Sequence, residues 1–237
     1  MKKLGILGGL GPYASAHFYE LLTKMQKIKR EQDHIEIFIH SVPETPDRTA
    51  FILNEGAEDP RPTMIRAMRT LVAAGANIIA IPCVTAHMIL TETAEAVKVP
   101  VLNIIDETVQ ALVLQNVRTV GLLATDGTLS SGLFKKVLAD KNIGMIVPEL
   151  RDQRKLMHNI YEKIKMNNQI DRDVFFRLAV DLRIRGADTV ILGCTELSLL
   201  NRDKKLGEGF TDMLEILARA SLLYCGAKVR DKYSVAY

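Results

Sequence analysis

AAGANIIAIPCVT, residues 73–85, returns in altered form as IRGADTVILGCTE, residues 184–196, at an offset of 111. Each copy runs from a Gly-Ala helix exit through an apolar strand to a cysteine, so Cys83 falls on Cys194. A second pair keeps the same order: KLGILGGLGPYASAHF (3–18) and TVGLLATDGTLSSGLF (119–134), offset by 116. That pair sets Gly5 on Gly121, Leu7 on Leu123, Gly11 on Gly127 and Phe18 on Phe134. Segments repeating in one order predict two structurally similar halves, and the small shift between offsets is a loop-length difference.

Apolar runs of strand length at 3–8, 35–40, 77–82 and 99–104 alternate with segments at 13–26, 61–75 and 86–97. The apolar residues of the latter recur at helical spacing. Strand–helix alternation with continuously apolar strands predicts parallel sheets covered on both faces. The expected fold class is α/β, with two similar Rossmann-like parallel-sheet domains related by pseudo-twofold symmetry. The first domain is expected to comprise 1–103 plus 209–237 and the second 104–208. The last helix then packs back on the first half, and the active site lies in the cleft between the domains.

Composition narrows the function. The 237 residues suffice for a substantial core, and the net charge of +3 is small. Without a Lys/Arg block or many aromatics, nucleic-acid binding is not expected. No run approaches the roughly 18–20 apolar residues of a membrane span. The opening MKKLGILGGLGP is interrupted too early for a signal-peptide core. A cytoplasmic protein is expected. Three cysteines in such a chain argue against a disulfide framework, and neither C-x-x-C nor H-E-x-x-H occurs, so no metal site is expected.

Ligands of parallel α/β sheets bind beyond the carboxyl ends of the strands, where both matched cysteines sit. Two halves facing each other bring the thiols into one cleft from opposite sides. One thiolate can then remove a proton from a carbon while the other thiol delivers one to the opposite face. A free thiol with a pKa of ~8.5 needs help to ionise at neutral pH. The helix starts expected after each cysteine, with Thr85 and Thr195, offer donors. A cysteine on an apolar strand is ordinarily core filler, and Cys225, which has no counterpart, is read that way. GGLGP (8–12) lacks the dinucleotide fingerprint spacing; Gly9 and Gly11 either present amides to a carboxylate or simply make a tight turn. Thr125 and Thr128 occupy the matching loop of the second half. His87 is read as a packing or capping residue.

Taken together, GILGGLGP (5–12), PDRT (46–49), PCVTAH (82–87), LLAT (122–125) and GCTEL (193–197) resemble the aspartate/glutamate racemases, closest to the aspartate racemase branch. The resemblance spans nearly the whole chain. It implies a racemase independent of pyridoxal phosphate, without any cofactor, commonly a homodimer, that inverts the α-carbon of an amino-acid substrate by a two-base mechanism with Cys83 and Cys194. Arg48 matches an arginine offered to a substrate carboxylate, a task its planar fork suits. Lys165 matches a second cation on the other half, while Lys163 should face elsewhere on its helix. Glu196 either pairs with the substrate ammonium or caps the helix.

One departure bears on substrate choice. The family commonly reads Cys-Asn-Thr at the first cysteine, and here Val84 replaces the Asn, removing a polar substrate contact. Aspartate is the expected substrate. Glutamate, another amino acid, or the substrate of a maleate isomerase, hydantoin racemase or arylmalonate decarboxylase type relative are the alternatives within enzymes. A silent amino-acid-binding protein and a thiol redox enzyme are the readings from other classes.

Overall fold

In the computed structural model, which describes residues 1–203 and 205–233, the apolar runs build two parallel sheets. The first contains β1 (Leu4–Gly8), β2 (Ile37–Ser41) and β3 (Ile78–Ala80) in the order β2-β1-β3. The second contains β4 (Thr119–Leu123), β5 (Gly144–Ile146), β6 (Thr189–Leu192) and β7 (Phe210–Asp212) in the order β5-β4-β6-β7. Every strand pair is parallel. β1 and β4 are central, and β1, β3, β6 and nearly all of β4 are buried, which is why they read as unbroken apolar runs.

The repeat holds in atomic detail. A Cβ on Gly5 would lie 2.9 Å from Ala76 Cβ and 3.2 Å from Leu71 Cβ. A Cβ on Gly121 would lie 2.8 Å from Leu182 Cβ and 3.4 Å from Ala187 Cβ, the partners that the sequence offsets relate. Both helix exits use a glycine in the left-handed region, Gly75 at φ 105° and Gly186 at φ 102°. Each then drops into its strand by the same bonds: Asn77 N–H donates to Lys3 O at 2.9 Å, and Asp188 N–H to Thr119 O at 2.8 Å. The helix must approach the central strand closely in both halves, and glycine allows it.

One apolar core joins the halves. It contains Leu4, Ile6 and Phe18 from the first and Val120, Leu122 and Phe134 from the second. Burying each of those phenylalanines contributes roughly 2–3 kcal/mol. Two further cores each belong to a single half. The helix Met213–Tyr224 returns to pack on Pro12–Met25 and on Ile104–Leu114.

Two expected elements change. The run 99–104 forms only a bridge, Val101 to Ile79, because Asn103 caps the helix Ile104–Leu114 by accepting from Ile105 N–H at 3.0 Å. The stretch placed at the start of the return to the first half instead supplies β7, on the second sheet. The return begins after Asp212, whose carboxylate caps the helix Met213–Tyr224 and also accepts from Ser198 Oγ at 2.6 Å and Asn201 Nδ2 at 3.0 Å. Residues 234–237 of the expected span 209–237 lie outside the described residues. No described helix is long and apolar enough to cross a membrane.

The loop after β1 has one conformational requirement. Gly9 has φ 89°, its N–H donates to Ser15 Oγ at 3.0 Å, and a Cβ there would lie 2.4 Å from Val42 N. Gly9→Ala therefore combines backbone strain with a backbone clash. It should lower the unfolding free energy by about 2 kcal/mol, read as a lower urea midpoint at unchanged slope.

Candidate active site

The loops at the carboxyl ends of β1, β3, β4 and β6 converge where the halves meet. Cys83 and Cys194, both buried, line one narrow space of about 10 Å³ together with Arg48, Thr85, Lys165 and Glu196. This space adjoins a mouth of about 270 Å³ lined by Gly9–Gly11, Thr45, Asp47, Arg48, Lys165 and Glu196. All three cysteines are free thiols. Cys225 is buried away from the cleft in the shared core, and burial pushes its thiol up to about 11, as filler should behave.

The thiols have different neighbours. Cys194 Sγ donates to Glu196 Oε2 at 2.9 Å. Burial pushes the Cys194 thiol well up, and the Glu196 charge adds to this against the opposing pull of Lys165. Cys194 is therefore a protonated thiol at neutral pH. Cys83 faces the Arg48 guanidinium instead. Burial works against the Arg48 charge, yet its interactions with Cys83, Asp47 and Glu196 hold its pKa above the ordinary value.

Arg48 is not a solvated loop residue. Its NH1 donates to Thr45 O at 3.1 Å and Pro46 O at 3.0 Å, and its NH2 to Leu10 O at 2.8 Å, which ties the first two loops of the cleft together. Its Nε is buried without a partner. Lys165 lies across the cleft, 3.6 Å from Asp47 Oδ2 and 3.8 Å above the centroid of the Tyr161 ring. The two residues share a face because they are four apart on a helical stretch, whose segment Asn159–Ile164 is a π-helical turn. Burial pulls the Lys165 pKa down, but its interactions with Glu196, Cys194, Tyr161 and Asp47 hold it raised.

Hydroxyls form the seam. Thr125 Oγ1 lies 3.2 Å from Thr85 Oγ1, 3.3 Å from Thr128 Oγ1 and 3.3 Å from Thr49 Oγ1, linking both halves. Thr195 Oγ1 donates to Pro82 O at 3.0 Å, again between halves. The matched glycines approach the opposite half reciprocally. A Cβ on Gly11 would lie 2.7 Å from Glu196 Oε1, and one on Gly127 would lie 2.9 Å from Thr49 Cα.

The structure thus gathers Cys83, Cys194, Arg48, Lys165, Thr85, Thr125, Thr195 and Glu196 at one place, with Gly9 and Gly11 at its mouth and Thr128 at its margin. Val84 touches this space but is packed in the shared apolar core. The Gly9 amide is already bonded to Ser15, which accounts for it as a turn residue. His87 is a packing residue behind the site. Its Nδ1 lies 2.8 Å from Cys83 O and its Nε2 3.2 Å from Leu102 O, and burial lowers its pKa, so the ring is neutral.

Long helices do not follow the cysteines. A five-residue 3-10 turn, Thr85–Ile89, and a three-residue one, Thr195–Leu197, do, so the dipole help expected there gives way to side chains. Three site residues lack an expectation from the sequence: Asp47, Thr49 and Tyr161. The first two flank Arg48 in PDRT, and Tyr161 precedes Lys165 by one helical turn. Among the described residues no cluster of three His, Cys, Asp or Glu side chains could hold a metal ion.

A sequence profile described as Asp/Glu/Hydantoin racemase matches residues 7–220. The broad specificity amino-acid racemase of Bacillus subtilis is 26% identical over 202 residues, covering 82% of this chain and 86% of that protein. An aspartate racemase of Picrophilus torridus superposes with a TM-score of 0.88 at 30% identity, over 98% of each chain. An aspartate racemase homologue of Pyrococcus horikoshii superposes with a TM-score of 0.74 at 28% identity, over 95% of this chain and 100% of its own.

Proposed function

The chain belongs to the Asp/Glu/hydantoin racemase family, and from that premise we propose that it racemises aspartate without a cofactor, with Cys83 and Cys194 as the two proton carriers. One observation carries the reading. Equivalent residues of the two halves bring two buried thiols to one enclosed space, one against a guanidinium and the other bonded to a carboxylate.

The chemistry needs such an asymmetric pair. A two-base inversion begins with one thiolate and one thiol on opposite faces of the α-carbon. Arg48 supplies a counter-charge where Cys83 would carry its negative charge, and Cys194 starts protonated. Removing the α-proton leaves negative charge on the α-carboxylate. Preorganised cations and hydroxyls in a dry cleft stabilise that charge at little reorganisation cost. The space between the groups is only about 10 Å³, too small for an amino acid, so in this mechanism the halves part to admit substrate and their closing excludes water.

Two cleft cations, the buried Arg48 and the half-buried Lys165, support a dicarboxylate, and so does the similarity to the Picrophilus torridus aspartate racemase. A broader amino-acid range is favoured by Val84, which offers no polar side-chain contact, and by the Bacillus subtilis relative. The homodimer implied by the family resemblance and the cytoplasmic location expected from the sequence belong to the same proposal. Incubation with single L-amino acids in D₂O, followed by NMR of the α-proton, tests it. Aspartate should lose its α-proton signal fastest and yield the D-enantiomer. Faster exchange with neutral amino acids would move the substrate, and no exchange with any amino acid would refute the racemase reading.

A further inference from the structure

Asp47 stands between the two halves on the rim of the mouth. It belongs to the first half, and its partners Tyr161 and Lys165 belong to the second. Its Oδ1 caps the turn carrying Arg48, accepting from Ala50 N–H at 2.9 Å. The Tyr161 hydroxyl donates to both carboxylate oxygens at 3.2 Å, and Lys165 Nζ lies 3.6 Å from Oδ2. These contacts are long, and the ion pair is partly open to solvent, with side-chain exposures of 20% for Lys165 and 35% for Asp47. The ammonium is also held from below by the Tyr161 ring, so it keeps its place if the carboxylate leaves.

We propose that Asp47 is an internal stand-in for the substrate's second carboxylate: it latches the halves through Lys165 and Tyr161, and an incoming dicarboxylate displaces it. This rests on the reading of the cleft as the substrate site. The latch sets the side-chain preference. A dicarboxylate must compete with Asp47 for Lys165, whereas a neutral amino acid leaves the latch partly made. Asp47 is ionised at neutral pH. Burial raises its pKa, but the Ala50 N–H, Lys165, Arg48 and Tyr161 together bring it below the ordinary carboxylate value.

Isothermal titration of the full chain with succinate tests the latch with a dicarboxylate that has no ammonium and cannot be racemised. Asp47→Asn keeps an oxygen to cap the turn and removes the charge. Succinate should bind about fivefold more tightly to Asp47→Asn than to the natural chain, the order expected for a partly exposed ion pair. The gain should vanish when Lys165→Gln is also present, because the competition is for that ammonium. Unchanged or weaker binding to Asp47→Asn overturns the latch. So does an equal gain with and without Lys165, which would mark a general charge effect, and so does the absence of succinate binding in all four proteins. The α-proton exchange assay is independent of this titration, so a failed latch and a failed racemase are told apart.

Discussion

Cys83→Ala and Cys194→Ala should each reduce racemisation by about 10³-fold or more, the scale of losing a positioned proton carrier. The fold should survive both changes. Each removes one small buried side chain from a loop at a strand end, a modest loss beside the shared core. The two variants should differ in what remains. With Cys194 removed, Cys83 still faces Arg48 and can exchange the α-proton of one enantiomer with solvent, without inversion. With Cys83 removed, the remaining thiol is protonated at neutral pH by burial and by its bond to Glu196, and washout should be slower. Chiral chromatography and α-proton NMR on both enantiomers of aspartate separate these outcomes. Full racemisation by Cys83→Ala would exclude the two-thiol mechanism.

The positions of these cysteines were legible because the chain states its architecture twice. Gly5 and Gly121, with Leu71 and Leu182, Ala76 and Ala187, solve one packing problem in both halves, and the sequence offsets register them correctly. Arg48 and Lys165 came from resemblance alone, since no local periodicity marks a loop arginine or tells which helix lysine turns inward. The contacts of Asp47 and Tyr161 join residues more than a hundred positions apart on irregular segments, and no pattern rule reaches them. The run 99–104 misled for a physical reason. Its apolar residues do enter the core, but Asn103 caps a helix before the strand can lengthen. The same device recurs at Asp212, where the cap ends β7 and starts the return helix. Both differences lie at junctions, where one side-chain oxygen bonding the amides two and three residues on outweighs the strand preference of its neighbours.

Glu196→Gln should lower kcat/KM for aspartate by about 10²-fold, mostly through KM, with little change in stability. The carboxylate is buried, and Oε2 accepts from Cys194 Sγ at 2.9 Å and Thr195 Oγ1 at 3.3 Å. Both donors are side chains, so the helix-capping alternative does not describe its bonds. Oε1 has no partner and lies on the mouth beside Gly11, with only the space of a missing Cβ between them. A buried carboxylate oxygen left unbonded is costly, and an ammonium arriving there would form a charge-assisted bond of roughly 2–3 kcal/mol. The substrate's α-ammonium is such a donor. Gln keeps the shape but loses the charge that makes this bond strong. Succinate, which lacks an ammonium, separates this role from a general disturbance of the cleft: its affinity should be unchanged or improved in the variant. A parallel loss of succinate and aspartate binding would instead make Glu196 a support for the loop, and the ammonium would need another acceptor.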